Sequence, residues 1–374
     1  MRVLVVTVVH TPLDARIHAR QIAALRAAGH DVTYVAPFQA HGAAPCEVHP
    51  GVLTFDVPRA VGRGRSAAWR AARRHVKQLA PRHDVVLLHD PELVVALRGL
   101  RVLRGRLVIL DVHEDTGAAL VDKAWLPEAL RPFVAAGVRR LEVIAQRDLR
   151  LLLAEERYVD RFPADRDGFP HPVVPNTPVI PDQVPEGPSV PPRVVHVGRL
   201  SVLRGVRDLL EVGRLLQGEC EVHLIGSADA DVIAEVKQAH AAGTIIWHGF
   251  VPNNRALSMI EGATAGLALL HDAPNYRVSM PTKLWEYLGR GVPVVTTPLP
   301  LALAALEEAG VGTVVPFGDP EAVVAAVRAL CADPAQARAH AVVGHEYVRT
   351  HRAWNADGPA FVAQMLRWSS NTDN

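Results

Sequence analysis

The chain has 374 residues, 49% of them hydrophobic and 21% charged, with a formal net charge of +1. That length exceeds one ordinary core and predicts about two domains, while the balance of charge is that of a soluble globular chain and leaves no global field to select nucleic acid or an acidic partner. Three cysteines, Cys46, Cys220 and Cys331, lie far apart with no CxxC pair, which argues against a disulfide framework or a zinc site and fits a reducing cytosol. In chain order, Val3–Val9 is a continuous apolar, β-branched run, as expected of a strand buried on both faces, and is too short for a signal segment. Asp14 is a plausible N-cap for a helix carrying Ile17, Ile22, Ala24 and Leu25, with Gly29 as its stop. Further strands are predicted at Asp31–Ala36, Val52–Phe55, Val85–Leu88 and Leu107–Leu110, with helices between them. This βαβ series predicts a parallel sheet covered on both sides. The first strand runs into His10-Thr11-Pro12-Leu13-Asp14 rather than GxGxxG, which weakens a dinucleotide reading.

A break follows. Between His171 and Pro192 the chain is crowded with proline, so the segment reads as an interdomain linker. A second series has strands predicted at 193–197, Val222–Ile225, Thr244–Trp247, Gly266–Leu270, Val292–Thr296 and Thr313–Val315. The tail from Ala335 to Ser370 reads as helical with an interruption near Asn355–Gly358. The expected class is α/β. Two Rossmann-like domains face each other across a cleft, with ligands beyond the C-terminal strand ends and the last helices returning to the N-terminal domain. The expected boundaries are 1–172, a linker at 173–192, 193–350 and a C-terminal helix at 351–374. No apolar run is long enough to span a bilayer.

The stretch Ser279-Met280-Pro281-Thr282-Lys283-Leu284-Trp285-Glu286-Tyr287 carries the most chemistry. It reads as a helix opened by proline, whose missing N–H costs nothing in the first turn. The outward N–H groups of that turn form an anion site, and Lys283 adds a full positive charge beside it. Glu286 follows on roughly the same face. A phosphate cradle next to a carboxylate that could accept two hydroxyls suits a nucleotide with a diphosphate and a ribose.

Several motifs in order are similar to those of the GT-B fold glycosyltransferases of family 4, retaining enzymes that use nucleotide-sugars. They are Val9-His10, Asp14-Ala15-Arg16-Ile17, His89-Asp90-Pro91-Glu92, Asp111-Val112-His113-Glu114, Val197-Gly198-Arg199-Leu200, Arg204-Gly205, Trp247-His248-Gly249-Phe250-Val251 and the Pro-Thr-Lys-Leu-Trp-Glu-Tyr stretch. The resemblance implies that Gly198, Arg199 and Arg204 meet the donor diphosphate, together with the amides of Thr282, Lys283 and Leu284. It implies that Glu286 binds the ribose, that backbone atoms around Val251 meet the base, and that His113 lies near the transferred sugar. It puts His10, Asp14 and Arg16 on the acceptor side. Two positions depart from the family pattern. Position 204 is Arg where relatives usually have Lys, which keeps the charge and changes the geometry. Val278 stands where the first Glu of the family's E-x7-E would be, although the branch with S-x-P-T-K often lacks that Glu.

The implied activity is glycosyl transfer from a UDP- or GDP-sugar to a saccharide, lipid-linked glycan or natural-product hydroxyl. Configuration would be retained, with no cofactor and no metal. Arg199, Arg204 and Lys283 would stabilise the charge of the departing diphosphate as it develops. A nucleotide-sugar 2-epimerase of the same fold and a non-catalytic sugar-nucleotide-binding partner subunit stay open at this point. Residues 59–82 carry Arg63, Arg65, Arg70, Arg73, Arg74 and Lys77 with no acidic residue between. With Trp69, Val76 and Leu79 as an apolar stripe, they suit either an anionic membrane or a solvated helix face. The expected location is cytoplasmic, with peripheral contact at the inner membrane face as one option.

Overall fold

The structure is a computed structural model that describes residues 1–44, 48–112, 131–165 and 167–370. The chain divides into two units, Met1–Asn176 joined by the chain from Ala356 onward, and Thr177–Asn355. Each is built on a six-stranded parallel sheet.

In the first unit the strands are β1 (Arg2–Val6), β2 (Asp31–Ala36), β3 (Leu53–Asp56), β4 (Val85–Leu88), β5 (Leu107–Val112) and β6 (Arg150–Leu153). They lie in the order β3-β2-β1-β4-β5-β6, every pair parallel. The first strand ends at Val6, short of the predicted Val9. Beyond it the Asp90 carboxylate takes the Thr7 hydroxyl at 3.0 Å and the Val8 N–H at 2.6 Å, which draws the chain out of the ladder. The edge strand β6 was not among the predicted ones. Its run Arg150-Leu-Leu-Leu is short, and pairing with β5 is what makes it a strand.

The second unit repeats the plan with β7 (Arg193–Val197), β8 (Glu221–Ile225), β9 (Ile246–Trp247), β10 (Ala265–Ala268), β11 (Val294–Thr296) and β12 (Thr313–Val314). Their order is β12-β11-β10-β7-β8-β9, again all parallel. In both sheets the connections reverse direction once, between β1 and β4 and between β7 and β10. In such sheets the crevice for a ligand opens beyond the strand ends at that point. Two buried apolar clusters cover the faces of the second sheet, and Leu284, Trp285, Tyr287 and Leu288 belong to one of them.

The proline-rich segment is not a free tether. Val173 bridges to Leu153 at the edge of β6, a place where proline is tolerated. From Thr177 the segment lies on the second unit. Prolines leave carbonyls without a ladder, and these are taken up by Arg338 on Pro185, His345 on Pro181 and the Trp354 N–H on Pro178. The tail forms helices Pro334–His351 and Trp354–Ser370. The interruption sits at Arg352 and Ala353, a few residues before the predicted place, and Asn355 ties the junction to Ile180 through both its amide atoms.

Candidate functional site

The site is assembled at the switch point of the second sheet. The chain leaves β7 through Gly198 at φ 126°, a conformation side chains rarely adopt. It then turns through Val202–Arg204 into the helix Val206–Leu215. Gly205 makes that turn possible. Its φ is 75°, and a Cβ there would stand 2.1 Å from the Leu269 carbonyl at the end of β10. The His271 N–H donates to the Leu203 carbonyl at 2.9 Å, so the loop carrying Arg204 is tied to the segment that follows β10.

The second wall is the helix Lys283–Leu288, buried along its whole length. Tyr287 fixes it to the sheet. Its hydroxyl accepts from the Val197 N–H at 2.9 Å and lies 3.3 Å from the Leu267 carbonyl, to which it donates. Its ring lies flat against Gly266, where a Cβ would fall 2.3 Å from the ring. This anchoring turns Lys283 toward the β7 loop. A Cβ added at Gly198 would meet Lys283 Nζ at 3.5 Å and Arg204 Nη1 at 3.7 Å. Two cationic heads therefore converge on a glycine whose missing side chain leaves its backbone open.

The electrostatics follow from that geometry. Lys283 is 8% exposed, and burial first, then repulsion by Arg204, lowers its ammonium from 10.5 to about 7, against the opposing pull of Glu286. Glu286 is also 8% exposed, and its carboxylate accepts from the Asn253 side-chain amide at 3.3 Å. Such a place favours an anion that would hold Lys283 charged, with a carboxylate one helical turn away for hydroxyl donors.

The predicted residues are thus distributed unevenly. Gly198, Arg204 and Lys283 come together, and Glu286 lies on the same short helix. Arg199, next in sequence, is 64% exposed and turns its guanidinium to Asp229, with Nη2 at 2.9 Å. Thr282 stands just before the helix, half-buried. Leu284 departs from expectation. The helix begins at Lys283, later than the proline suggested, and the Leu284 N–H donates to the Pro281 carbonyl at 3.0 Å. Its amide is used within the turn and its side chain is in the core. Val251 is half-buried against the same core.

On the first unit, His10 Nε2 lies 3.3 Å from Asp90. Asp14 caps the helical segment that follows, accepting from the N–H groups of Arg16 and Ile17 at 2.8 and 3.0 Å. Arg16 is 3% exposed and grips Asp111 with two bonds of 2.7 and 2.6 Å; Gln21 joins the same carboxylate at 3.1 Å. It stands in the core as half of an ion pair, because a carboxylate 95 residues away at the end of β5 claims it. His113 lies outside the described residues. Among the described residues, no three His, Cys, Asp or Glu side chains group so as to hold a metal ion.

Four further residues shape the site and were not singled out from the sequence. Tyr287 anchors the helix, Asn253 holds Glu286, Asp229 holds Arg199, and His196 touches Lys283 Nζ at 3.3 Å. Two of these left a signal: Tyr287 closes the Ser279–Tyr287 stretch, and His196 is a polar residue in the otherwise apolar run Val194-Val195-His196-Val197 of a buried strand.

Residues 191–333, a span inside the second unit that includes Gly198, Arg199, Arg204, Val251, Thr282, Lys283, Leu284 and Glu286, match the family model for glycosyl transferases group 1. No similar sequence was found among curated proteins. Among solved structures, the chain is similar to WaaG, a glycosyltransferase involved in lipopolysaccharide biosynthesis (TM-score 0.67, 15% identity, covering 96% of this chain and 98% of that one). It is similar to sucrose-phosphate synthase from Thermosynechococcus elongatus (0.66, 17%, 98% and 98%) and to HepE of Anabaena in complex with UDP (0.64, 13%, 98% and 99%). Across nearly the whole chain these likenesses give the fold, the GT-B arrangement of two Rossmann-like domains.

Proposed function

We propose that the protein is a retaining glycosyltransferase of the family 4 type that takes a nucleoside-diphosphate-sugar donor in its second unit and needs no metal. One observation carries the reading: inside the matched domain, Arg204 and Lys283 converge on the open backbone of Gly198. The pyrophosphate would lie on Gly198 between these two cations, with the ribose hydroxyls on Glu286 and the base near Val251. Charge grows on the pyrophosphate as the glycosidic bond breaks, and two fixed cations in a water-poor place stabilise it most at that moment. They supply the role a divalent ion would otherwise take. Arg199 would exchange Asp229 for a phosphate oxygen, its guanidinium being largely exposed to solvent. The acceptor hydroxyl would attack on the face that the diphosphate leaves, giving its proton to a leaving phosphate oxygen, so that configuration is kept without a protein base.

UDP is the first nucleotide to test, because HepE is known in complex with UDP and with UDP-glucose; GDP is the second. The acceptor is assigned to the first unit, on the side of His10 and Asp14. A saccharide, a lipid-linked glycan or a natural product would each supply the hydroxyl. Contact of residues 59–82 with an anionic membrane would be electrostatic. Val76 and Leu79 pack in the core and the Trp69 indole donates to Glu92 at 2.9 Å, so the apolar stripe is spent. No helix among the described residues is long and apolar enough to cross a membrane.

The test is a calorimetric titration with UDP and GDP, followed by mass spectrometry and anomeric NMR of products from the matching nucleotide-sugars. Binding of one nucleotide that weakens at least tenfold in Lys283→Met, with an anomer-retained product, is expected. Equal binding by wild type and Lys283→Met would remove the reading.

A further inference from the structure

A histidine that belongs to no donor contact named above lies directly beneath Lys283. His196 sits in β7 with 0% exposure, and its ring bonds on both sides. Nδ1 lies 3.0 Å from the Leu267 carbonyl, which can only accept. The proton of the neutral ring is therefore on Nδ1, and Nε2 carries a lone pair. That lone pair faces Lys283 Nζ at 3.3 Å. Resting on the donor reading above, we propose that His196 is a positioning residue that fixes Lys283 over Gly198 and serves as the acceptor for one of its ammonium protons.

The neighbours of the ammonium make that acceptor matter. Lys283 meets His196 from β7, Arg204 from the following loop and Glu286 from its own helix. Arg204 only donates, and the Glu286 carboxylate, which also accepts from Asn253, supplies the opposing charge from the helix side, so His196 is the acceptor on the β7 side. Burial and the facing Lys283 keep the imidazole neutral, so it stays an acceptor across the working pH range. The Tyr287 hydroxyl donates to the same Leu267 carbonyl, and one backbone oxygen of β10 thus aligns both the ring beneath Lys283 and the helix that carries Lys283. An apolar side chain at position 196 would keep the packing of β7 and leave the ammonium without this acceptor. Lys283 would then lose its proton more readily and would be free to leave the Gly198 backbone.

The experiment uses full-length protein labelled with 13C at lysine Cε. The chain has four lysines, Lys77, Lys123, Lys237 and Lys283, so the Lys283 signal is assigned by its loss in Lys283→Arg. Its titration and its response to UDP and to GDP are followed in wild type, His196→Leu and His196→Gln, with thermal unfolding as a check on folding. In His196→Leu the Lys283 midpoint should move down and nucleotide affinity should fall about tenfold. In His196→Gln, whose amide oxygen can take the place of Nε2, both should return to within about threefold of wild type. A general packing defect would not be repaired by glutamine, which is the more polar replacement. An unchanged Lys283 midpoint in a folded His196→Leu protein overturns the proposal. If the midpoint moves as expected while neither UDP nor GDP perturbs the Lys283 signal of the wild type, the donor reading falls and the contact between His196 and Lys283 stands.

Discussion

At the scale of single residues, Lys283 decides what the site does. Burial and Arg204 bring the Lys283 ammonium down to about 7, so its charge depends on what lies against it. A bound pyrophosphate favours its charged form, so binding above neutral pH must bring a proton with it. The sign is fixed by linkage: affinity for UDP falls as pH rises through about 7, by up to roughly tenfold per unit, until the bound-state value is reached. Calorimetry at pH 8 in two buffers of different ionisation enthalpy checks this, and proton uptake approaching one per nucleotide is expected in wild type and none in Lys283→Met. The same shift touches stability. An unfolded lysine ionises near 10.4, so between about 7 and there the unfolded chain holds more protons and unfolding becomes harder as pH rises. Lys283→Met should remove that dependence and raise the melting temperature of the nucleotide-free protein at pH 7 by a few degrees. Part of this was legible beforehand. Lys283 stood out because lysine is scarce and the residue follows a proline at a helix start. The resemblance put Arg16 on the acceptor side, and its pairing with Asp111, distant in sequence, left no local mark.

At the scale of elements, a six-residue helix is too short to hold its own shape, so packing must place it. The Tyr287 ring over Gly266 and its hydroxyl on β7 do this. Tyr287→Phe keeps the ring, yet deprives the Val197 N–H of its acceptor. It should cost about 1–3 kcal/mol in denaturant unfolding and weaken UDP binding, whereas an unaltered affinity would show that the helix is placed by apolar packing alone. The sequence announced the elements better than their ends. Buried strands declare themselves as β-branched runs, but where a strand stops depends on a competing group from elsewhere, as Asp90 shows beyond β1. The late start of the Lys283 helix has the same origin. The Pro281 carbonyl captures the Leu284 N–H in a tighter turn, which no propensity scale encodes.

At the scale of the whole chain, alternation of strand and helix, broken once by proline, was enough to read two parallel-sheet units. The strand order was not readable in detail, since β6 and the proline segment acquire their places only by pairing and capping. The cluster around Gly198 was more legible than the partners of the first-unit residues for a physical reason. Gly198, Arg204, Lys283 and Glu286 meet at one sheet's switch point and all lie between β7 and β11 in sequence. His10 and Arg16 instead have partners remote in sequence, Asp90 and Asp111. The central claim is that a nucleoside diphosphate lies on Gly198 between two cations. A crystal structure with UDP tests it most directly. The account predicts pyrophosphate oxygens about 3 Å from both Arg204 and Lys283 Nζ, with ribose hydroxyls on Glu286. A pyrophosphate bound elsewhere, with Arg204 and Lys283 facing no phosphate oxygen, would contradict it.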